Sequence, residues 1–418
     1  MHDAEPPRRL LLGILFLGAF TTAVNVTLLS PLLTRIAAEF RVSDPTAGQL
    51  ATLTAGASGL TALLVAPWTD RFSRVAWLRV ECSLLAIGSV LSALAPGFGW
   101  LFAGRILAGI GGAVIGANCL AAVSDLYAER DARNRALGLV NTAFTLGAVF
   151  GLPALTLIAS LVGWRWAILA PAPLAAIVLI GTRWFPRAAL LTNPTTVAAS
   201  SQRGSIWRDW TASYRDVFRS SETLWLLGAM VSLQLVWFGW LIYFGAYAET
   251  VHAVVAGTLS LLFLAGGLGE IVGNNVAPLL LRAQSTRTVV GWAGAILAID
   301  LLLVGVAYVT GWSLFPFIVV ASAAGAILFL CINILLLDSL PEASGTVMSL
   351  QSAGLELGGS LGVAVTGGLL ALLNDYEAVY RTLGLLAPLV VICVVISTRR
   401  ARWSPASEIP PGASGGSQ

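Results

Sequence analysis

Residues 98–122 read FGWLFAGRILAGIGGAVIGANCLAA, and Arg105 is the single charged side chain in this stretch of 25 residues. About 20 apolar residues are enough for a helix to cross a bilayer, so the stretch predicts a transmembrane helix. The whole chain has the same character, because 57% of its 418 residues are apolar and 11% are charged. Soluble domains carry about 25% charged residues. We therefore expect a membrane protein, with too little soluble chain for a catalytic domain and too small a net charge, +3, for a nucleic-acid binder.

Eleven further apolar runs lie between charged, Pro or Gly residues. The twelve predicted spans cover about residues 11–33, 46–66, 76–95, 98–122, 136–160, 164–182, 223–247, 254–280, 288–310, 313–337, 344–372 and 379–398. We predict an all-α membrane protein with six spans in an N-terminal half, 1–182, and six in a C-terminal half, 223–398.

The longest polar stretch, 183–222, separates these halves. Within it Trp207, Trp210, Tyr214 and Phe218 recur at helical spacing among arginines, which is typical of an amphipathic helix at an anionic membrane surface. An ordinary soluble linker helix is the alternative. The last residues, 399–418, are rich in Pro, Gly and Ser from Ser404 onward and predict a disordered tail.

The positions of the arginines predict the orientation. With the N-terminus in the cytoplasm, 19 of the 24 arginines lie on the cytoplasmic side, and only Arg35, Arg41, Arg165 and Arg381 lie on the other side. Basic residues concentrate on the cytoplasmic side of membrane proteins, so we expect both termini in the cytoplasm and the protein in the cell (inner) membrane.

The two halves share short sequence matches at an offset of 211 residues. Residues 66–71 correspond to residues 277–282, and Gly147 and Gly151 correspond to Gly358 and Gly362. Parallel repeats of this kind allow two halves to rock about a site between them, and we expect that site to be a transport pathway.

Four motifs give the chain a resemblance to the major facilitator superfamily, and within it to the twelve-helix drug:proton antiporters. The motifs are Asp70-Arg71-Phe72-Ser73-Arg74, similar to the family's G-x-x-x-D-R-x-G-R; Arg105 to Gly111, similar to R-x-x-x-G-x-G; Gly138, Gly147, Gly151 and Pro153, at the spacing of the antiporter motif; and Gly163-Trp164-Arg165-Trp166. Ala66 and Ser73 replace glycines of the first pattern, and Leu152 separates Gly151 from Pro153, where a direct Gly-Pro is usual.

The resemblance implies roles for the first and third motifs. It implies that Asp70, Arg71 and Arg74, together with Asp125, form a charge relay that holds the outward-facing state closed on the inside. The alternative is that the arginines only anchor the loop at the cytoplasmic surface. The glycines of the third motif predict a hinge or seal between the halves or, equally, plain helix packing.

Ionisable side chains inside a bilayer are costly and mark functional sites. Four stand out: Arg105, Glu270, Asp300 and Glu356. Glu270 and Glu356 have small or polar neighbours one turn away, and either is a candidate proton carrier because a poorly hydrated carboxylate readily accepts a proton. Asp300 has apolar neighbours and ranks lower. Permanent pairing of an acid with Arg105 is the alternative.

Several polar and aromatic side chains in the predicted spans are candidate substrate contacts. These are Asn25, Asn118, Gln234, Trp237 and Asn333. The four cysteines lie in apolar runs and the two histidines are far apart in sequence, so we expect neither a metal site nor a cofactor.

These features together predict a secondary transporter, not an enzyme. We expect a monomer that exports small, fairly apolar compounds in exchange for protons. Neutral or cationic compounds are favoured, because an anionic substrate would need more cationic side chains in the spans than Arg105 alone. An uptake symporter or uniporter of the same fold, and a membrane receptor that does not transport, are the alternatives.

Overall fold

The computed structural model describes residues 8–69, 73–127, 129–185, 215, 217–305, 311–340 and 344–401. Across these ranges the chain forms helices and no β-strand. Twelve segments are long and apolar enough to cross a membrane, which confirms the predicted all-α fold with twelve spans. The predicted linker helix around Trp207 and Trp210 and the predicted tail from Ser404 lie outside the described residues.

The first six spans contain eight of the helices. They are α1 (Arg8–Thr27), α3 (Asp44–Thr69), α4 (Arg74–Ala93), α5 with α6 (Phe98–Gly112 and Ile115–Leu126), α7 (Arg130–Leu161) and α8 with α9 (Trp164–Leu169 and Pro171–Gly181). A further short helix, α2 (Leu33–Phe40), follows a 3₁₀ turn at Ser30–Leu32 and lies outside the predicted spans. It ends where Arg41 adopts a left-handed backbone conformation, with a φ of 54°.

The last six spans contain seven helices. They are α10 (Ser221–Thr250), α11 (Ala256–Ala283), α12 (Thr286–Val304), α13 (Leu314–Ser339), α14 (Ser344–Leu373) and α15 with α16 (Tyr376–Leu386 and Pro388–Ala401).

Several helices begin at a side chain that caps the first turn. The Ser73 hydroxyl accepts a hydrogen bond from the backbone of Ala76 at the start of α4, and Ser220 and Ser285 make the equivalent contact for α10 and α12. Asp375 accepts two backbone hydrogen bonds at the start of α15. These caps satisfy N–H groups that have no partner within the helix, and they therefore fix where these four helices begin.

Three of the spans are broken into two helices. Pro171 and Pro388 begin the second part of the sixth and twelfth spans, where a proline cannot donate the next helical hydrogen bond. The fourth span is broken between Gly112 and Ile115, with an irregular link at residues 113–114 and no proline nearby. Broken helices within a membrane occur where the backbone faces protein or a cavity, so this break marks the fourth span for attention.

The outer surface of the helix bundle is apolar. Large side chains such as Leu64, Leu94, Leu161 and Leu372 are between 65% and 83% exposed. Trp100, Trp166, Trp292 and Trp312 are also more than 60% exposed. Such a surface would be a liability in water and is the normal lipid-facing surface of a membrane protein. The twelve spans and this surface make the chain a multi-pass membrane protein.

Two groups of helices, residues 8–185 and residues 221–401, meet mainly through α3 with α14 and α7 with α11. Successive spans alternate in direction, so α1 begins and α16 ends at one end of the bundle, here called the terminal end. The opposite end, where α1 ends and α3 begins, is called the distal end. The two interfaces between the helix groups lie on either side of the centre of the bundle.

Candidate functional site

A small cavity lies at the centre of the bundle, between the two helix groups. Its polar lining comes from Asn25 of α1, Thr54 and Ser58 of α3, Arg105 of α5 and Glu356 of α14. Its volume of about 20 Å³ has room for one water molecule. The structure therefore shows the centre of the bundle in a contracted state, with the polar groups of both helix groups facing one small space.

Arg105 is completely buried at one wall of this cavity. Its Nε donates to Thr54 Oγ1 at 3.3 Å, and its Nη2 donates to Asn25 Oδ1 at 3.3 Å, while Nη1 has no hydrogen-bond partner. Among the described residues it forms no ion pair, so neutral oxygens alone hold the guanidinium. A buried cation with an unused N–H group is poised to bind an incoming acceptor, either a carboxylate or a substrate oxygen.

Glu356 faces the same cavity from the other helix group. The Ser58 hydroxyl lies close to its carboxyl group in the cavity wall. The helices α3 and α14 approach closely here, since a Cβ atom at Gly59 would lie 3.0 Å from the Glu356 Cβ and 2.9 Å from Leu357. Gly59 thus lets the carboxyl group of one helix group sit against the polar wall of the other.

The other two predicted acids do not line this cavity. Glu270 is on α11, on the side opposite the lipid-exposed Leu268 and Val272. Asp300 on α12 is 5% exposed, and its Oδ2 has no hydrogen-bond partner. Of the three acids considered as proton carriers, Glu356 is thus the one that shares a cavity with Arg105.

The predicted substrate contacts are spread over the bundle, and only Asn25 lines the cavity. Asn118 donates to another side chain, Glu81, and Asn333 donates to the Phe329 carbonyl of its own helix. Trp237 packs against Gly325, whose Cβ would lie 2.4 Å from the indole ring. Gln234 is buried, with its Oε1 unpartnered.

The predicted charge relay is described only in part, because Asp70 and Arg71 lie outside the described residues. The structure brings the other two members together at the terminal end, where Arg74 Nε lies 2.9 Å from Asp125 Oδ2. The side chains are 30% and 53% exposed, so this is a surface ion pair that joins α4 to α6.

The glycines of α7 face different surroundings. Cβ atoms at Gly147 and Gly151 would lie 2.6 Å from Ala23 and 3.1 Å from Val24, so both glycines pack against α1 within one helix group. Gly138 has no atom within 4 Å of the same position. The contacts from α7 to the other helix group come instead from Val149, against which Gly267 packs, and from the Pro153 carbonyl, which accepts from Ser260.

One buried acid was missed by the sequence analysis. Glu81 on α4 is 3% exposed and accepts the hydrogen bond from Asn118. It lies inside the predicted span at 76–95. Because Arg74 and Arg79 are close in sequence, Glu81 looks like part of the charged end of this span and not like a buried residue. The missed signal is a spacing: Glu81 follows Arg74 by seven residues, about two helical turns, and therefore lies well inside the span.

Near the distal end, hydrogen bonds tie the two helix groups to each other. Ser30 donates to the Leu241 carbonyl at 2.6 Å, Thr34 donates to Glu249, and the Tyr376 hydroxyl donates to Asp44 at 2.6 Å. A Cβ at Gly48 would collide with the Tyr243 ring, so α3 and α10 also touch there. The distal end is therefore closed.

The sequence matches a known protein family over most of its length. The profile of the Major Facilitator Superfamily matches residues 15–363. The chain belongs to the Major Facilitator Superfamily. Its members are membrane transporters, which supports the non-enzymatic interpretation at the level of the family.

Individual relatives are distant. The puromycin resistance protein pur8 of Streptomyces alboniger is 31% identical over 166 residues, which are 40% of this chain and 32% of that protein. The inner membrane transport protein YdhP of Escherichia coli is 25% identical over 391 residues, 92% of this chain and 95% of that protein. The multidrug resistance protein Stp of Mycobacterium tuberculosis is 30% identical over 113 residues, 27% of this chain and 21% of that protein. The match to pur8 thus spans about a third of that relative's length.

Proposed function

We propose that this transporter exports small, fairly apolar compounds, neutral or cationic, in exchange for protons. The observation that carries the proposal is the central cavity, where Arg105 and Asn25 of one helix group face Glu356 of the other. Two of the relatives, pur8 and Stp, are named as resistance proteins, which supports export without identifying the substrate.

Glu356 is the proton carrier in this mechanism. In the contracted state the protonated carboxyl group stays with Ser58, because an ionised carboxylate in so small a space would be poorly solvated. When a substrate enters, the cavity widens and hydrates, Glu356 loses its proton to water, and the carboxylate attracts a cationic substrate. Reprotonation from the other side of the membrane then releases the substrate.

Arg105 makes the exchange sensitive to charge. Its unused Nη1 group is available to the Glu356 carboxylate once that group is ionised, which links the proton on α14 to the position of α5. Glu270 and Asp300 stay secondary candidates, since neither lines the cavity.

The gating proposal assigns the ion pair of Arg74 and Asp125, with Asp70 and Arg71, to a latch at the terminal end. The arginine distribution assigns the closed distal end to the side of the membrane away from the cytoplasm. We place the protein in the cell membrane with both termini in the cytoplasm. One chain supplies both walls of the cavity, so we propose that it works as a monomer.

Transport into everted membrane vesicles tests this function. Vesicles that carry the protein and are acidified inside should accumulate ethidium, used as a cationic probe, and ethidium addition should release protons from the vesicle lumen. Glu356→Gln should abolish both effects, whereas Glu129→Gln, the same change at an exposed helix start, should leave them unchanged.

Three outcomes would speak against the proposal. Unchanged proton-driven accumulation in Glu356→Gln removes the assigned carrier, and Glu270→Gln is then tested next. Accumulation only in right-side-out vesicles would favour uptake, and no probe-dependent proton movement across a panel of neutral and cationic dyes would favour a receptor.

A further inference from the structure

Glu81 is a buried acid that the mechanism above does not use. Its Oε2 accepts a hydrogen bond from Asn118 Nδ2 at 3.0 Å, and its Oε1 is buried with no partner. The thiols of Cys82 and Cys119 lie near it, and both residues belong with Leu78 to the buried apolar cluster of the first helix group. The carboxyl group is therefore held by one amide inside a core that offers little solvation.

Glu81 forms no ion pair with any described residue, and the charged groups of the helices packed on α4 are engaged elsewhere or exposed. Arg105 of α5 binds Thr54 and Asn25, and Asp125 of α6 binds Arg74. Arg165 of α8 binds Glu39, and Arg79 of α4 itself binds Thr182. Arg183 after α9 is exposed, and the other titratable neighbours, Cys82 and Cys119, are thiols. An ionised Glu81 would thus be an uncompensated buried charge, which is strongly unfavourable.

The Glu81 contact repeats the surface ion pair two turns deeper. Glu81 follows Arg74 by seven residues on α4, and Asn118 precedes Asp125 by seven residues on α6. Seven residues are about two turns, so each pair of side chains lies on one face of its helix. The two antiparallel helices are thus joined by two aligned contacts, Arg74 with Asp125 at the surface and Glu81 with Asn118 inside.

The break in the fourth span makes α6 a helix separate from α5. Above the break, α4 and α5 are locked together, since Cβ atoms at Gly88 and Gly111 would lie 2.4 Å and 2.3 Å from backbone atoms of the facing helix. Below the break, α6 carries both Asn118 and Asp125. Movement of α6 away from α4 would break both contacts in one step.

We propose that Glu81 is a second proton-binding residue of the transporter, which holds its proton while α6 lies against α4 and releases it when the two contacts open. On opening, the Glu81 O–H bond breaks, the proton passes to water that enters beside α6, and the carboxylate is hydrated. On closing, a proton from water returns to the carboxylate before Asn118 docks again. This inference rests on the proposed proton-coupled function for its use in transport.

Infrared spectroscopy of the purified full chain in lipid at neutral pH tests the proposal. The spectrum of the wild type minus that of Glu81→Gln should contain the C=O band of a protonated carboxyl group and no carboxylate band. Asn118→Leu, which removes the hydrogen bond, should shift the frequency of this C=O band. Since glutamine has the shape of glutamic acid and still accepts from Asn118, Glu81→Gln should fold.

Asp125→Asn tests the link between the two contacts. It removes the surface ion pair. The Glu81 band in this background is the spectrum of Asp125→Asn minus that of the double variant Asp125→Asn with Glu81→Gln. This C=O band should be weaker than in the wild type. A carboxylate band in the first difference spectrum would overturn the proposal, and an unchanged Glu81 band in Asp125→Asn would overturn its link to the surface contact.

The proposed function fails separately from this inference. Loss of proton-driven ethidium transport in Glu356→Gln with a carboxylate at Glu81 would leave the exporter proposal intact and end the inference. A protonated Glu81 that weakens in Asp125→Asn, in a protein that moves no protons, would refute the exporter proposal and leave the two coupled contacts.

Discussion

At the scale of single residues, Arg105 and Glu356 differ in how the protein satisfies them. Arg105 is held by two neutral oxygens and keeps one N–H group unused, while the Glu356 carboxyl group faces the Ser58 hydroxyl in the cavity. Neither group forms an ion pair among the described residues, so both are stabilised only weakly. Weak stabilisation suits groups whose pairing has to change during a transport cycle.

Arg105→Lys should impair transport although it keeps the charge. A lysine ammonium lacks the planar fork that reaches Thr54 and Asn25 together, and losing one hydrogen bond of a charged group costs about 1.5–3 kcal/mol. We expect initial ethidium transport rates to fall about tenfold or more at equal protein levels. Rates within twofold of the wild type would show that the geometry of the guanidinium is unimportant.

At the scale of helices, the three glycines of the antiporter motif separate into two kinds. Gly147 and Gly151 allow α7 to touch α1, while Gly138 faces open space. Their spacing in the sequence is the same kind of signal for all three. It does not reveal which neighbour each glycine meets, because that depends on how the other helices pack.

Gly147→Ala and Gly138→Ala form a matched pair that tests this difference. The added methyl group at 147 would lie 2.6 Å from Ala23 and 3.0 Å from the Phe20 carbonyl, and overpacking of this kind costs about 1–3 kcal/mol. The same change at 138 meets nothing and should not destabilise. Thermal unfolding in detergent should show a lower midpoint for Gly147→Ala alone; equal midpoints would contradict the packing of α7 on α1.

The ion pair between α4 and α6 should matter for transport more than for stability. Exposed ion pairs contribute about 0–1 kcal/mol, and both side chains are partly exposed. Arg74→Gln should therefore leave the unfolding midpoint nearly unchanged and still slow ethidium transport. Exchange of the two residues, Arg74→Asp with Asp125→Arg, should restore part of the rate, and an exchanged variant no faster than Arg74→Gln would argue against a latch.

The sequence predicts the helices better than their surroundings. The apolar runs anticipate all twelve spans, and the motif at Arg105 anticipates one wall of the cavity. The short helix α2 follows Pro31 and carries Arg35 and Glu39, so the sequence marks it only as the polar end of the first run. The break at residues 113–114 has no proline or charge beside it. The side chains Asn118, Asn333 and Trp237 are polar or aromatic positions whose partners depend on helix rotation, which a single sequence does not determine. The burial of Glu81 is not predicted, because the nearby arginines suggest that this part of the span lies at the membrane surface.

At the scale of the whole molecule, two helix groups close over a cavity that holds about one water. At the distal end, α10 is hydrogen-bonded to Ser30 and α15 is hydrogen-bonded to Asp44 of α3. A transporter that alternates between two openings has to break these contacts once in each cycle. The stability of the distal contacts therefore sets how often the protein opens on that side.

Tyr376→Phe should shift this balance toward opening at the distal end. The change removes the hydrogen bond to Asp44, a charged acceptor, worth about 1.5–3 kcal/mol, and keeps the ring. Spin labels at Arg41→Cys and Val251→Cys, one in each helix group at the distal end, with the four native cysteines replaced, should show a larger fraction of long distances. Tyr127→Phe, at the terminal end, is the control. An unchanged distance distribution in Tyr376→Phe would mean that this contact does not hold the distal end closed.

Proton release from the purified protein shows whether Glu356 exchanges its proton for the substrate. In lipid nanodiscs at weak buffer strength, ethidium added to the wild type should release protons into solution, and the same addition to Glu356→Gln should release clearly fewer. Equal proton release from both proteins, or none from the wild type while ethidium binds, would mean that Glu356 is not the proton carrier.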